Sequence, residues 1–108
     1  MNREEFLEMM ERREVIRHGT EAFLCCINGT QRALEITAKI NQGYHTPEEI
    51  RELFSELTME PVNDTLLIFP PFHADFGQNL HVGQNVTMNA GVSIQDQGGV
   101  FIGNNVLL

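Results

Sequence analysis

Histidine is the side chain that most often moves protons in enzymes near neutral pH. The chain contains four, at His18, His45, His73 and His81. None belongs to a Ser-His-Asp pattern or to a helical H-x-x-x-H pair, and no glycine-rich phosphate-binding loop is present. His18 and His45 flank segments with helical periodicity, and we do not expect either of them to be catalytic.

The two cysteines, Cys25 and Cys26, are adjacent in sequence. Neighbouring cysteines suit neither a disulfide that closes a loop nor the C-x-x-C spacing of zinc and redox sites. We interpret both as thiols of the protein core. The sequence does not cluster other metal ligands near them, and we predict no metal site.

The overall charge argues against two classes of partner. The 108 residues carry 15 acidic and 7 basic side chains, a formal net charge of -8, and the basic residues form no common face. Nucleic-acid binding needs such a face, and we therefore expect no nucleic-acid partner. The apolar stretch from Thr65 to Ala74 is too short to cross a bilayer, and we expect no membrane association. The charged N-terminus lacks the apolar region of a secretory signal, which predicts a cytoplasmic protein.

The first half of the chain has the periodicity of amphipathic helices. Apolar residues from Phe6 to Ile16 predict a first helix from Asn2 to about Arg17, with Asn2 as its cap. A second helical stretch runs from about Thr20 to Ile40. We predict a break in it near Asn28-Gly29, after which Thr30 caps the remaining part.

The third helix has the clearest start signal. Thr46 precedes Pro47 at the first helical position, and Glu49 completes a capping box. The sequence therefore predicts a helix over residues 47–57.

The character of the chain changes at about residue 60. Leu66 to Phe69 form a short strand-like run that Pro70-Pro71 closes, and beyond Phe76 the only formally charged residue is Asp96. We therefore divide the chain into a helical cap over residues 1–59 and a β unit over residues 60–108.

A period of six residues runs through the β unit. The repeat starts are Phe76-Gly77, Val82-Gly83, Met88-Asn89, Ile94-Gln95 and, after two extra residues, Ile102-Gly103. This spacing predicts a solenoid of short strands with one inward aliphatic side chain each. The predicted corners are Gly77, Gly83, Asn85, Gly91, Gly103 and Asn105. The extra residues lie at Asp96-Gln97-Gly98-Gly99, which predicts a projecting loop that is either functional or a plain surface bulge.

Residues 70 to 108, PPFHADFGQNLHVGQNVTMNAGVSIQDQGGVFIGNNVLL, resemble the maltose and galactoside O-acetyltransferases of the hexapeptide-repeat superfamily. The PPF, DFG and NLHVG elements followed by NVTMNAG are more specific than the hexapeptide pattern alone. The helical half resembles the N-terminal cap of that family in layout, with TPEEIRELF before a Pro-Pro strand.

The resemblance implies a mixed α + β fold in which a helical cap precedes the first coils of a left-handed parallel β-helix. It also implies three hexapeptides to a coil and a homotrimer with active sites between neighbouring subunits. The implied reaction is acetyl transfer from acetyl-CoA, as acetyl donor, to a sugar or other small hydroxyl acceptor. In this family a histidine is the general base, and the resemblance places it beyond Leu108. His73 and His81 match strand residues of the family, not its base.

The resemblance also implies acceptor-binding positions within this chain. Asp75 matches a polar residue that faces the sugar, and Asn89 matches an asparagine next to the catalytic centre. Asp96 and Gln97 lie in the loop where the family supplies a carboxylate, and which of the two faces an acceptor is left open. Thr87 replaces an aromatic residue of galactoside-specific members, so maltose or galactoside should not be assumed as the acceptor.

Two hypotheses about function follow. The first is an acetyl-CoA-dependent sugar O-acetyltransferase of which this chain is an N-terminal part, inactive alone. The second is a non-catalytic hexapeptide-repeat protein for binding or assembly, from a shortened reading frame.

Overall fold

A computed structural model describes all residues from 1 to 108. Three helices precede six short strands. The helices are α1 (Arg3–Glu11), α2 (Glu21–Asn41) and α3 (Pro47–Thr58). The strands are β1 (Leu67–Ile68), β2 (Phe72–Ala74), β3 (Leu80–Val82), β4 (Thr87–Met88), β5 (Val92–Ile94) and β6 (Val100–Ile102).

Helix α1 is shorter than its sequence predicts. The Asn2 side chain caps it as expected, because it accepts a hydrogen bond from the Glu5 amide. The helix ends at Glu11, and Arg13 adopts a positive φ of 58°. The predicted extension to Arg17 was wrong because residues 11–15 are all exposed, so that another helical turn there would bury no apolar surface.

Helix α2 runs unbroken for 21 residues, and the predicted break at Asn28-Gly29 was wrong. Gly29 is buried in the middle of the helix, and a Cβ atom at this position would overlap the ring of Phe76. The absence of a side chain at Gly29 therefore lets the Phe76 ring approach the helix backbone closely. This packing compensates for the low helix propensity of glycine. Thr20 is the cap of this helix, and Thr30 lies within it.

Helix α3 confirms the prediction made from its capping box. The Thr46 hydroxyl accepts from the Glu49 amide, and the Glu49 carboxylate accepts from the Thr46 amide. Pro47 occupies the first turn, and Met59 in the left-handed region ends the helix. The observed bounds exceed the predicted ones by one residue at the C-terminal end.

The six strands form three separate two-stranded parallel sheets. Strand β1 pairs with β4, β2 with β5 and β3 with β6. The partners Leu67 and Thr87 lie 20 residues apart, and the pairs of the other two sheets have the same separation. The chain therefore winds through three strands and returns one layer higher every 20 residues, as the predicted solenoid requires.

The repeat differs from the predicted one in its first coil. Met88, Ile94 and Ile102 do contribute to the solenoid core, but the equivalent of Ile94 in the first coil is Ala74, not Phe76. Two extra residues are present in both coils, between β2 and β3 as well as between β5 and β6. Phe76 lies in the first of these loops and packs against α1.

The corners mostly behave as predicted. Positive φ angles occur at Gly77, Asn85, Gly91 and Asn105. Gly83 and Gly103 do not have positive φ, and at Gly83 a Cβ atom would come too close to the backbone of Gly103 in the next layer. Close stacking of the coils is therefore the reason for glycine at position 83.

One hydrophobic core joins the helices to the coils. It includes Ile36 of α2, Phe54 of α3, Phe72 of β2 and Leu80 of β3, all almost fully buried. The rings of Phe54 and Phe72 meet edge to face with centroids 5.7 Å apart. The division between residues 59 and 60 therefore separates types of secondary structure, and its status as a domain boundary stays a prediction.

A second, smaller cluster attaches α1 to the coils. Phe6, Met10 and Phe76 form it, with the rings of Phe6 and Phe76 at a centroid distance of 4.9 Å. Arg3 adds a hydrogen bond from Nη2 to the Gln78 carbonyl oxygen (3.1 Å). None of the three helices is long and apolar enough to cross a membrane.

Candidate acceptor site

The projecting loops of the two coils stack on each other and bring Asp75 and Gln97 together. Asp75 follows β2, and its amide donates to the carbonyl oxygen of Ile94 in the next layer (2.9 Å). Gln97 lies in the corresponding loop after β5, and its Nε2 is 3.4 Å from Asp75 Oδ2. Both side chains are half-buried. This corner therefore presents a carboxylate and an amide that could bind hydroxyl groups.

Asp96 points into the molecule, unlike its half-buried neighbour Gln97. Its side chain is fully buried, and its Oδ1 accepts from the amides of Phe76 and Gly77, both at 2.9 Å. Its Oδ2 accepts from the amide of Asn79 at 3.1 Å. Because the Asp96 carboxylate has no exposed surface in this chain, the structure favours Gln97 over Asp96 as the residue that faces an acceptor. Asp96 instead ties the loop of the second coil to the loop of the first.

Thr87 and Asn89 lie at a different corner of the solenoid. Thr87 is in β4 and Asn89 follows that strand, so their side chains alternate with the buried Met88 and point outward. Neither side chain forms a hydrogen bond within the chain, and Asn89 is exposed. The structure therefore does not bring them to Asp75 and Gln97 within one chain.

The four histidines lie in different parts of the chain. The His18 ring packs on Phe23 at a centroid distance of 4.7 Å, and His45 Nε2 is 2.7 Å from the Lys39 carbonyl oxygen. His73 is exposed on β2, and His81 lies on β3. None of them forms a hydrogen bond with Asp75, Asn89 or Gln97.

His81 belongs to a polar cluster that the sequence analysis did not find. Its Nδ1 is 3.1 Å from Glu60 Oε1, and its Nε2 is 3.0 Å from Asn79 Oδ1. Its ring stacks on that of Phe101 with centroids 4.5 Å apart. The sequence signal that could have revealed this cluster was the 20-residue repeat, which pairs position 81 with position 101 across β3 and β6.

The two cysteines lie on α2 beside the cluster of Phe6 and Phe76. Burial raises the pKa of Cys25, and burial, followed by the neighbouring Cys25 and by Asp75 and Asp96, raises the pKa of Cys26. Both thiols are therefore weak nucleophiles at neutral pH. No group of three or more histidine, cysteine, aspartate or glutamate side chains is arranged to hold a metal ion.

Known proteins resemble this chain in both sequence and fold. It is 35% identical over 79 residues to a galactoside O-acetyltransferase from Lactococcus lactis, a match that covers 71% of this chain and 38% of the relative. It is 29% identical over 77 residues to the galactoside O-acetyltransferase of Escherichia coli, with the same coverage of both chains. A putative acetyltransferase of Saccharomyces cerevisiae is 39% identical over 59 residues, which are 55% of this chain and 28% of the relative. No family model matches the chain.

Two solved structures of a hexapeptide-repeat-containing acetyltransferase from Vibrio cholerae have the same fold. One has a TM-score of 0.69 at 23% identity and covers 94% of this chain and 52% of that protein. The other, a complex with acetyl coenzyme A, has a TM-score of 0.68 at 25% identity and covers 100% of this chain and 55% of that protein.

The stacked coils and the helical cap define the chain as part of a hexapeptide-repeat acetyltransferase fold. Within that class it is a homologue of the galactoside O-acetyltransferases over the matched residues, which confirms the resemblance inferred from residues 70 to 108. The chain spans 38% of the length of these two relatives.

Proposed function

We propose that this chain forms the helical cap and the first coils of an acetyl-CoA-dependent O-acetyltransferase that acts on a sugar hydroxyl. The observation that carries the proposal is the corner at which Asp75 and Gln97 lie side by side on stacked loops. Homology to galactoside O-acetyltransferases over most of this chain supports the same reaction class. The composition, rich in charged residues, supports a cytoplasmic location.

A left-handed coil and a homotrimer belong to the same proposal. Each coil has 20 residues, which corresponds to three hexapeptides with a two-residue insertion at one corner. The pair Asp75 and Gln97 and the pair Thr87 and Asn89 occupy different corners of one chain. Threefold packing of parallel solenoids brings different corners of neighbouring subunits together. We therefore place the acceptor site between two subunits, with one pair from each.

The residues of the proposed site would bind and orient the acceptor. The Asp75 carboxylate accepts hydrogen bonds from sugar hydroxyls, while the amides of Gln97 and Asn89 both donate and accept them. Asp96 holds the two loops in register and so fixes the distance between Asp75 and Gln97. Thr87 offers a small hydroxyl where galactoside-specific members have an aromatic ring, which leaves space for a different acceptor.

The acetyl donor requires residues beyond those of this chain. Acetyl-CoA supplies an activated thioester, and its phosphate groups need cationic side chains or converging amides. The surface depressions beside α3 hold one cation each among carboxylates: Arg51 with Glu48 and Glu52 in one, and Lys39 with Glu49 and Glu56 in another. These residues do not fit the coenzyme. We therefore place the coenzyme groove and the histidine base outside these 108 residues.

Transfer of a labelled acetyl group from acetyl-CoA to a panel of sugars tests this proposal. The 108-residue chain alone should give no transfer, whereas the product of a reading frame that continues past Leu108 with further hexapeptides and a histidine should be active. In that longer protein, Asn89→Ala should raise KM for the sugar and lower kcat/KM by about 10- to 100-fold, without a change in stability. Transfer by the short chain itself would contradict the placement of the base.

A second candidate function is binding or assembly without catalysis. It is favoured by the exposed apolar side chains of Phe101, Leu107 and Leu108 at the end of the coils, which suit association with another chain. A stop codon directly after the Leu108 codon, together with no transfer by the product, would support this candidate over the enzyme.

A further inference from the structure

Helix α2 carries an exposed, mostly apolar stripe of side chains on the face that points away from the core. Leu24, Ile27 and Leu34 are 60%, 42% and 53% exposed, and Gln31 and Ala38 between and beyond them are also exposed. The positions 24, 27, 31, 34 and 38 alternate in steps of three and four residues. This is the spacing of a coiled-coil seam. We call these five residues the α2 stripe.

The α2 stripe is distinct from the face that holds the helix on the molecule. The buried residues of α2 lie on the opposite side and contact α3 and the coils. They are Ala22, Gly29, Ala33, Ile36, Thr37 and Ile40. Because this packing already secures the helix, folding gives no reason for three large apolar side chains in water on the other side.

The α2 stripe is complementary to itself when a second copy lies antiparallel across it. With a twofold axis at Gln31, the large Leu24 meets the small Ala38 of the second copy, and Ile27 meets Leu34. The two Gln31 side chains meet on the axis, where an amide can both donate to and accept from its twin. We propose that two copies of this protein associate through antiparallel contact of their α2 stripes.

Charges beside the α2 stripe favour the antiparallel arrangement. Glu21, Asn28, Glu35 and Lys39 line one flank of it, at angular positions close to one another on the helix. In the antiparallel pair Glu21 approaches Lys39 of the second copy, and Asn28 approaches its Glu35. In a parallel pair this flank would instead face the opposite flank of the second copy, which includes Phe23 and Thr30, so Glu21 and Lys39 would gain no partner of opposite charge.

The same flank argues against other occupants. A helix that lies on an anionic membrane needs lysine and arginine along its polar face, whereas two of the three charged residues on this flank are acidic. The contact does not depend on the proposed enzymatic function. If the subunits also form trimers, the contact joins one trimer to another and doubles the mass of the assembly.

The mass of the protein in solution tests the contact. Sedimentation equilibrium of the wild-type chain should give an even number of subunits, and Leu34→Glu should halve that mass and raise the dissociation constant at least about tenfold. Val15→Glu is the matched control, because Val15 is 69% exposed and lies outside α2. It should leave the mass unchanged. Circular dichroism should show the wild-type helix content in both variants, since neither residue is buried.

The orientation has its own test. Glu21→Lys and Lys39→Glu should each weaken association, and the double variant should restore it. In a background with both native cysteines replaced by serine, the double variant Leu24→Cys, Ala38→Cys should form disulfide-linked dimers on oxidation. Leu24→Cys alone should not, because antiparallel pairing separates the two copies of position 24 by about 21 Å. Wild-type mass in Leu34→Glu, or cross-linking by Leu24→Cys alone, would overturn the proposal.

Discussion

The Asp96 side chain shows how one residue fixes the geometry of the candidate site without contact to a ligand. Its two oxygens accept hydrogen bonds from three backbone amides in the loop of the preceding coil. Charge-assisted bonds of this kind are stronger than neutral ones, and in a buried position each is costly to lose. Asp96 therefore sets the distance between Asp75 and Gln97, while the side chains of Asp75 and Gln97 stay available for an acceptor.

Asp96→Asn should destabilise the protein by about 2 kcal/mol. The amide can keep its oxygen toward the amides of Phe76 and Gly77, but its NH2 group then faces the N–H of Asn79, which also donates. Urea unfolding at neutral pH measures the loss. Asp64→Asn, at an exposed position, is the control and should be close to neutral.

Gly29→Ala should destabilise the protein although alanine is the better helix former. The added methyl group overlaps the buried Phe76 ring, and overpacking of this kind costs about 1–3 kcal/mol. Gly98→Ala is the control, because a Cβ atom there has open space. A thermal midpoint in Gly29→Ala at or above that of the wild type would show that the ring can move away without cost.

The sequence could nominate polar residues for the candidate site, and their roles toward an acceptor stay predictions. Asp75, Gln97, Thr87 and Asn89 could be selected because the resemblance covers them closely. The burial of Asp96 could not, since it follows from a 20-residue register that places its side chain over the amides of the first loop. Without that register, neighbouring polar residues such as Asp96 and Gln97 look equivalent.

Among the elements, α3 is the one whose start is most completely encoded in local sequence. The reciprocal hydrogen bonds of Thr46 and Glu49 satisfy amides that the first helical turn leaves free. The hydrogen bonds with the backbone and side chain of Thr46, aided by the charge of His45, lower the pKa of Glu49. Because the pKa is lower in the folded state, the stabilisation is present above the ordinary glutamate pKa and is lost as pH falls through the folded value.

Thr46→Ala should remove the cap and lower the free energy of unfolding by about 1 kcal/mol. The pKa of Glu49 should rise part of the way toward its ordinary value, because alanine removes the Thr46 hydroxyl but keeps the backbone N–H, which lowers that pKa most. NMR titration of the carboxyl carbon measures the pKa, and urea unfolding measures stability. Thr46→Ser retains the oxygen and should preserve both; an unchanged Glu49 pKa in Thr46→Ala would contradict the role of this cap.

Local signals and long-range contacts explain which elements the sequence predicted correctly. The predicted caps at Asn2 and Thr46 appear in the structure, because a cap depends on residues within one turn. The predicted cap at Thr30 was wrong, since α2 begins after Thr20 and continues through residue 30. The break predicted at Asn28-Gly29 failed because the partner of that glycine, Phe76, lies 47 positions away in sequence. The extra pair of residues in the first coil was missed for a related reason, since Phe76 has the apolar character of a repeat start but packs on α1.

At the scale of the whole molecule, the helices complete the core of the coils. Buried residues of α2 and α3 pack on β1 and β2, where the solenoid would otherwise begin with open strand edges. Residues 60–108 therefore depend on the cap for the burial of Phe72, whose ring packs on that of Phe54 in α3.

A fragment of residues 60–108 alone should be poorly soluble and should not form a stable monomer. Removal of the cap exposes both the strand edges of the first coil and the apolar surface that faces α2 and α3. Analytical ultracentrifugation of the fragment, compared with the full chain under the same conditions, measures this. A fragment that sediments as a folded monomer would show that the coils form a domain of their own.

The fit of the Phe76 ring over Gly29 has a consequence for evolution. The Phe76 ring fills the space that a side chain at position 29 would need. Neither position can therefore change in size independently of the other. Among descendants of this protein, a larger residue at position 29 should therefore be inherited together with a smaller one at position 76.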